Sequence, residues 1–421
     1  MRIALFHDLP SGGAKRTLHE LVKRLAQRHD IDLYTLATAD EEFCDLRPWL
    51  HARHEFPFGP SPLFRRPFGR LNQLQRWRDL VRLDGLSRRI AAAVDAGRYD
   101  VLLAEPSMWT QAPPLLQYAA TPSVYHCHEP ARALHEDGLH RRDAGDWRRA
   151  IDGIDPLIGL YRRRAVHTDR HATRAARCVL ANSRFTCDRV RELYGVDARV
   201  LYNGVDSERF RPLANDSDRS GVLSVGALQP TKGFDFVIDS LAYLPSATRP
   251  PLHLVSNHAA PGERDHLTRL AAARGVELTI EVGVADEVLA QRYAAAALFV
   301  YAPHREPFGL APLEAMACAT PVVGVAEGGV PESVRDGETG LLVARDPRRF
   351  AAAIQSLLDD AAARRRLGER ARAAVVCDWT WERAAAQLED ELHGVMSSPR
   401  DARSGSRASR AHLADPSTRV K

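Results

Sequence analysis

The sequence predicts an α/β protein of two doubly wound domains, and three observations carry that prediction. Its 421 residues exceed what one ordinary core holds, because domains of roughly 100–200 residues are the norm. Short apolar runs of strand length alternate with segments of helical periodicity, the pattern of parallel strands covered on both faces. The alternation occurs twice, in blocks separated by Asn203–Arg219, a stretch rich in Asn, Asp, Ser and Pro that reads as a linker.

The first block opens with the continuous apolar run Ile3–Phe6. The turn Leu9-Pro-Ser-Gly-Gly13 follows, and Ala14, Leu18, Leu21, Val22 and Leu25 then recur at helical spacing. Further strands are expected at Ile31–Leu36, Val101–Ala104, Ser123–Cys127, Cys178–Ala181 and Arg199–Tyr202. The second block starts with a strand at Val222–Val225, a glycine-containing turn, and a helix marked by Phe234, Val237, Ile238 and Leu241. Its later strands are Leu252–Ser256, Leu278–Val282, Leu298–Tyr301, Pro321–Val325 and Leu341–Val343. Residues 397–421 are rich in Ser, Arg and Asp with few large apolar side chains, the composition of a disordered tail.

Composition excludes several classes. Hydrophobic residues at 45% and charged residues at 27% fit a globular chain rather than a disordered or fibrous one. A net charge of +4 gives no reason to expect nucleic acid as a partner. The six cysteines form no C-x-x-C pair, which argues against structural zinc and suits a reducing cytosol. Met1–Pro10 carries one basic residue and breaks at His7-Asp8, so it reads as a strand rather than a signal peptide. No run approaches the ~18 apolar residues of a membrane-spanning helix. The expected location is cytoplasmic, at most peripheral on a membrane face.

One segment departs from the α/β pattern. Phe56–Leu83 interleaves Phe56, Phe58, Phe64, Phe68 and Trp77 with Arg65, Arg66, Arg70, Arg76, Arg78 and Arg82. Arginines among aromatics suit peripheral contact with an anionic membrane. They equally suit a surface insertion that packs its own rings, and the sequence leaves both readings open.

The stretch richest in chemistry is His304-Arg-Glu-Pro-Phe-Gly-Leu-Ala-Pro-Leu-Glu-Ala-Met-Ala-Cys318, followed by Pro321-Val-Val-Gly-Val325 and Gly328-Gly-Val-Pro-Glu332. A strand ending near Tyr301, a loop holding Glu306, Gly309 and a helix from about Leu310 place helix amides beyond a parallel strand, where anions bind. Glu314 sits one turn into that helix, within reach of ligand hydroxyls beside the phosphates. Separately, each residue has a plainer explanation: Glu314 can complement a helix dipole and Gly309 can serve an ordinary turn.

Together these residues resemble the donor-site signature of retaining GT-B glycosyltransferases, in particular glycosyltransferase family 4. Val225-Gly-Ala-Leu-Gln-Pro-Thr-Lys-Gly-Phe234 is similar to that family's diphosphate loop, and Asn203-Gly-Val-Asp206 to its interdomain segment. Asp378-Trp-Thr-Trp-Glu-Arg-Ala384 resembles the start of the C-terminal helix that crosses back to the first domain. The resemblance covers most of residues 1–395 and is best in the second half. It implies two Rossmann-like domains facing across a cleft: an acceptor-side domain over 1–205, with a helix at about 380–396 packed back on it, and a donor domain over 206–379.

The resemblance also assigns roles. Lys232, the sole lysine between Lys23 and Lys421, matches the lysine that contacts the donor diphosphate, where a point charge can stabilise a departing phosphate. Glu306 would position the sugar hydroxyls and Glu314 the ribose, with Phe308, Gly309 and Leu310 completing the donor site. Gly12 and Gly13 correspond to a glycine loop facing donor phosphates and acceptor. Tyr125-His-Cys-His-Glu-Pro130 ends a buried strand toward the cleft, and His128 best matches the family's cleft histidine near the transferred sugar. His126 would share its facing while the strand lasts and is the runner-up. A metal on His126 and His128 lacks an evident third ligand in the sequence. No cofactor or metal is expected beyond the nucleotide sugar.

One departure stands out. The family often carries arginine directly after Gly226, and this sequence has Ala227. Arg16 and Arg305 are the candidates to supply the missing cation. The activity expected is retaining transfer of a sugar from a nucleoside-diphosphate sugar to a glycan, lipid-linked or small-molecule acceptor. Ala227 also motivates a second reading, a nucleotide-sugar-binding protein with little turnover. A glycosidase pair of glutamates has no use for a phosphate site, and neither an epimerase nor a phosphorylase has support in the sequence.

Overall fold

The buried apolar runs become parallel strands, because each is flanked by a helix long enough to carry the chain back over the sheet face. The computed structural model describes residues 1–64, 71–136, 155–213 and 219–397. The first sheet comprises β1 (Arg2–Asp8), β2 (Asp30–Leu36), β3 (Ala52–Phe56), β4 (Val101–Ser107), β5 (Ser123–Cys127), β6 (Cys178–Ala181) and β7 (Arg199–Val200). The second comprises β8 (Ser220–Val225), β9 (Leu252–Ser256), β10 (Leu278–Val282), β11 (Ala296–Tyr301), β12 (Val322–Val325) and β13 (Gly340–Val343). Their orders are β3-β2-β1-β4-β5-β6-β7 and β10-β9-β8-β11-β12-β13, with parallel pairing throughout the two sheets.

Strand order reverses between β1 and β4 in one sheet and between β8 and β11 in the other. At such a switch point the flanking helices diverge and leave a crevice at the carboxyl ends of the strands. The loops after β1, β5, β8 and β11 therefore hold the candidate site.

Helix Trp381–Ser397 returns to the first domain. Its Trp381, Ala384, Ala385, Leu388, Leu392 and Val395 join a core with Ile3, Leu5, Leu18 and Leu21. Polar contacts flank that seam: Arg24 Nε donates to Glu382 at 2.9 Å and Gln387 Nε2 to the Val200 carbonyl at 2.6 Å. The six cysteines are unpaired. Among the described residues, no helix is long and apolar enough to cross a membrane.

Two elements differ from expectation. β3 carries mostly exposed Ala-Arg-His-Glu-Phe at a sheet edge, with no apolar run to announce it. The segment Phe56–Leu83 is also only partly a surface element. Phe58, Leu80 and Leu83 are buried, and Arg82 lies 5.5 Å over the Phe58 ring while it donates to Asp79 at 3.0 Å. Leu63, Phe64, Leu71, Leu74 and Val81 remain exposed. Arg65, Arg66, Phe68 and Arg70 lie outside the described residues, as does the tail from 398.

Candidate active site

On the second domain, the loop after β8 ends in a tight turn, Pro230–Lys232, that brings Lys232 beside the loop after β11. Lys232 Nζ donates to both carboxylate oxygens of Glu306, at 2.9 and 2.8 Å. Gly309 takes φ +91, a conformation L side chains rarely adopt, and from it helix Leu310–Ala317 begins. The Gly328-Gly329 pair explains itself here. Gly328 has φ +63, a side chain at either glycine would run into the backbone of Glu306 or Pro307, and Gly329 N donates to the Glu306 carbonyl at 2.8 Å. The strap thus fixes the height of the Glu306 loop. Glu314 is buried one turn into the helix and accepts from Tyr293 Oη at 2.7 Å. Burial raises its carboxyl, against the pull of Arg16 and Tyr293.

On the first domain, Gly12 caps helix Gly13–Leu25, whose first turn carries Arg16. Arg16 grips Asp286 of the other domain with two bonds, 2.7 and 2.6 Å. His128 follows β5 and its Nε2 lies 2.7 Å from Glu105, a fully buried residue of β4. Next to it, Glu129 opens on the cleft with 35% of its side chain exposed, 3.3 Å from Arg132. Burial and the facing Glu306 push the Glu129 carboxyl up to about 7, opposed by Arg132 and Lys232. Arg132 also donates to the His304 carbonyl at 3.0 Å, across the domain boundary.

One cleft of about 700 Å³ collects these groups, within the range of small-molecule sites. Gly12, Gly13, His128, Lys232, Glu306, Phe308, Gly309, Leu310 and Glu314 all line it. His126 does not; it points from β5 to Glu105, 3.0 Å from Nδ1 to the carboxylate. Sequence reasoning missed Glu129, Arg132 and Asp286, whose importance comes from contacts across the two domains that no local motif encodes. Of the two arginines expected to replace the cation at Ala227, Arg305 stands outside the cleft, 5.7 Å over the Phe185 ring. Arg16 lines the cleft but is committed to Asp286. Arg132 is the further cation on the wall opposite Lys232.

The expectation that His126 and His128 have no third ligand requires correction. Glu105, unsignalled in the sequence, places an oxygen within 4.8 Å of His126 Nδ1 and His128 Nε2, a donor set known for metals. Its contacts of 2.7 and 3.0 Å are those of hydrogen bonds. They are shorter than the ~3.3 Å between ligand atoms around a tetrahedral ion with bonds of ~2.05 Å. Moreover, His126 Nε2 is buried without a partner, where a metal-bound histidine normally has one.

Comparison with known proteins bears on this arrangement. Residues 11–209 match the family described as Glycosyltransferase Family 4, and residues 205–374 the family described as Glycosyl transferases group 1. A D-inositol 3-phosphate glycosyltransferase of Thermomonospora curvata is 30% identical over 400 residues, 85% of each chain. One of Geodermatophilus obscurus is 29% identical over 443 residues, covering 96% of this chain and 93% of the relative. Among solved structures, sucrose-phosphate synthase of Thermosynechococcus elongatus superposes with a TM-score of 0.72 at 22% identity, over 94% of this chain and 98% of the other. Anabaena HepE in complex with UDP and glucose superposes with a TM-score of 0.69 at 23% identity, over 93% and 99%. Two doubly wound domains in the GT-B arrangement are shared with these structures.

Proposed function

Because the chain belongs to the family 4 glycosyltransferases, we propose that it transfers a sugar from a nucleoside-diphosphate sugar to a small-molecule, glycan or lipid-linked acceptor, with retention at the anomeric carbon. The supporting observation is the Lys232–Glu306 pair, held at the start of helix Leu310–Ala317 and facing Gly12, Gly13 and His128 across one cleft. A diphosphate entering there competes with Glu306 for Lys232. The ammonium and the helix amides then stabilise the charge that develops on the leaving group. Glu306, released, accepts from hydroxyls of the sugar. Glu314 holds the ribose, and His128 bonds the sugar or the acceptor.

For the acceptor, a small phosphorylated polyol is the first candidate, since relatives aligned along most of the chain are named for D-inositol 3-phosphate. The test is thermal stabilisation by UDP, GDP and ADP, followed by hydrolysis or transfer assays with the corresponding sugars. Stabilisation with turnover supports the enzyme. Stabilisation without turnover on any donor favours the binding-protein reading that Ala227 motivates, and no stabilisation by any nucleotide sinks both. Turnover is expected to survive EDTA, because Lys232 and backbone amides take the part a cation would play. Loss of activity restored by magnesium or manganese would overturn that.

A further inference from the structure

Glu105 belongs to no motif, yet it occupies a fully enclosed polar position behind the cleft residue His128. It is fully buried in β4, beside β5, and its two oxygens meet His126 Nδ1 at 3.0 Å and His128 Nε2 at 2.7 Å. The two rings lie 4.1 Å apart between centroids. Burial works to raise the Glu105 carboxyl, but the two rings bonded to it outweigh burial and hold it below the ordinary carboxylate value. An ionised carboxylate only accepts hydrogen bonds, so both rings must donate. For His128 the donor is Nε2. Burial also lowers the His128 pKa, so at neutral pH the ring carries one proton, and that proton is already placed.

We propose that Glu105 is a positioning residue that fixes His128 as the Nε2–H tautomer and presents its unprotonated Nδ1 to the cleft. The proposal rests on the reading of His128 as a cleft residue of the transfer reaction. It adds a choice of ligand group. A bare ring nitrogen accepts a hydrogen bond and does not donate one. It recognises a hydroxyl of the transferred sugar or of a polyol acceptor, and it repels phosphate oxygens, which are also acceptors. His128 therefore sorts hydroxyl from phosphate within one cleft, while Lys232 and the helix amides take the phosphate. The tautomer follows from the second bond the histidine makes, as for histidines generally.

The decisive measurement needs no substrate. Protein labelled with 15N at histidine is examined by long-range 15N–1H correlation at pH 7.5, with His128 assigned from the resonances lost in His128→Asn. The expected spectrum shows His128 protonated on Nε2 and bare on Nδ1. A His128 protonated on Nδ1, or doubly protonated, overturns the proposal. In Glu105→Gln one carboxamide cannot accept from both rings, so the tautomer of His126 or His128 should change. Where it is His128 that changes, kcat for UDP-glucose hydrolysis should fall at least ~10-fold with KM changed less than ~3-fold, and Glu105→Asp should recover part of the loss. Where only His126 changes, kcat should stay within ~3-fold of wild type. Any other pairing of tautomer and rate counts against the proposal. An unchanged spectrum in Glu105→Gln also counts against the proposal. So does stoichiometric metal in the wild-type protein that disappears from Glu105→Gln. If Glu105→Gln does not fold, the wild-type spectrum alone decides. If the tautomer is as expected and His128→Asn turns over like wild type, the tautomer assignment stands and the functional reading of His128 fails.

Discussion

Lys232 and Glu306 form an ion pair at 2.8 Å, so neither faces the cleft as an unpaired charge. Removing either leaves the other without its partner and removes one group aimed at the donor. Lys232→Ala and Glu306→Gln are each expected to lower kcat/KM at least ~100-fold, the scale of losing one electrostatic stabiliser. A wild-type rate in either variant would remove the donor-site assignment. Glu129 makes a separate prediction through pH. Its carboxyl is raised to about 7 from an ordinary 4.5, so folding favours the neutral form. Its contribution to stability is fully present below the unfolded value and is lost as pH rises through about 7. Glu129→Gln stays neutral and loses nothing over that window. The thermal midpoint of the variant should therefore gain on wild type between pH 5.5 and 8.5, and parallel midpoint curves would show that Glu129 titrates at an ordinary value.

Helices meet across the domain boundary in a way that local sequence hides. Helix Arg184–Tyr194 has its own cap in Ser183, but its first two amides, Arg184 and Phe185, donate to Glu332 of the second domain at 2.8 and 2.9 Å. Tyr202 Oη adds a third bond to the same carboxylate at 2.8 Å. A carboxylate at a helix N-terminus is stabilising, and loss of such a cap costs about 1 kcal/mol. Glu332→Ala should lower stability by about that margin, read as a lower thermal midpoint, and increase the radius of gyration in solution scattering. An unchanged radius would mean the latch does not hold the domains together. The motif Gly-Gly-Val-Pro-Glu was legible as part of a donor site. Its two glycines serve the Glu306 loop, and its glutamate serves the other domain instead. The buried strands were legible because burial on both faces demands continuous apolar runs. β3 was not, since an exposed edge strand needs none. Glu306 and Glu314 could be found because one loop and one helix turn set their spacing, and Lys232 because the local motif of the loop after β8 contains it. Glu105 and Glu129 could not, because their surroundings are assembled from strands far apart in the chain.

At the scale of the molecule, the two domains are joined by Arg16–Asp286, the Glu332 latch and the returning helix Trp381–Ser397, and helix Asn72–Ala96 takes part in none of these three contacts. That helix begins beside the exposed Leu71 and carries Leu74, Arg78 and Val81 exposed on one face, four and seven residues apart from Leu74. Leu160 of the neighbouring helix Pro156–Ala175 is exposed as well. Phe58 is buried beneath the exposed Arg82, so among the described residues the apolar contact this segment offers a membrane comes from Leu63, Phe64 and this stripe. Each arginine near an anionic surface contributes roughly 1 kcal/mol, and each aliphatic side chain inserted contributes up to ~2 kcal/mol. The two terms respond differently to salt, because only the first is screened over the ~8 Å Debye length of physiological buffer. Peripheral binding through the stripe therefore predicts cosedimentation with phosphatidylserine vesicles that weakens with salt. It also predicts a smaller sedimented fraction for both Arg78→Ser and Leu74→Ser/Val81→Ser, with the salt dependence reduced only in the first. If wild type stays in the supernatant, or all three proteins sediment equally, the stripe is an ordinary surface and the acceptor reaches the cleft from solution.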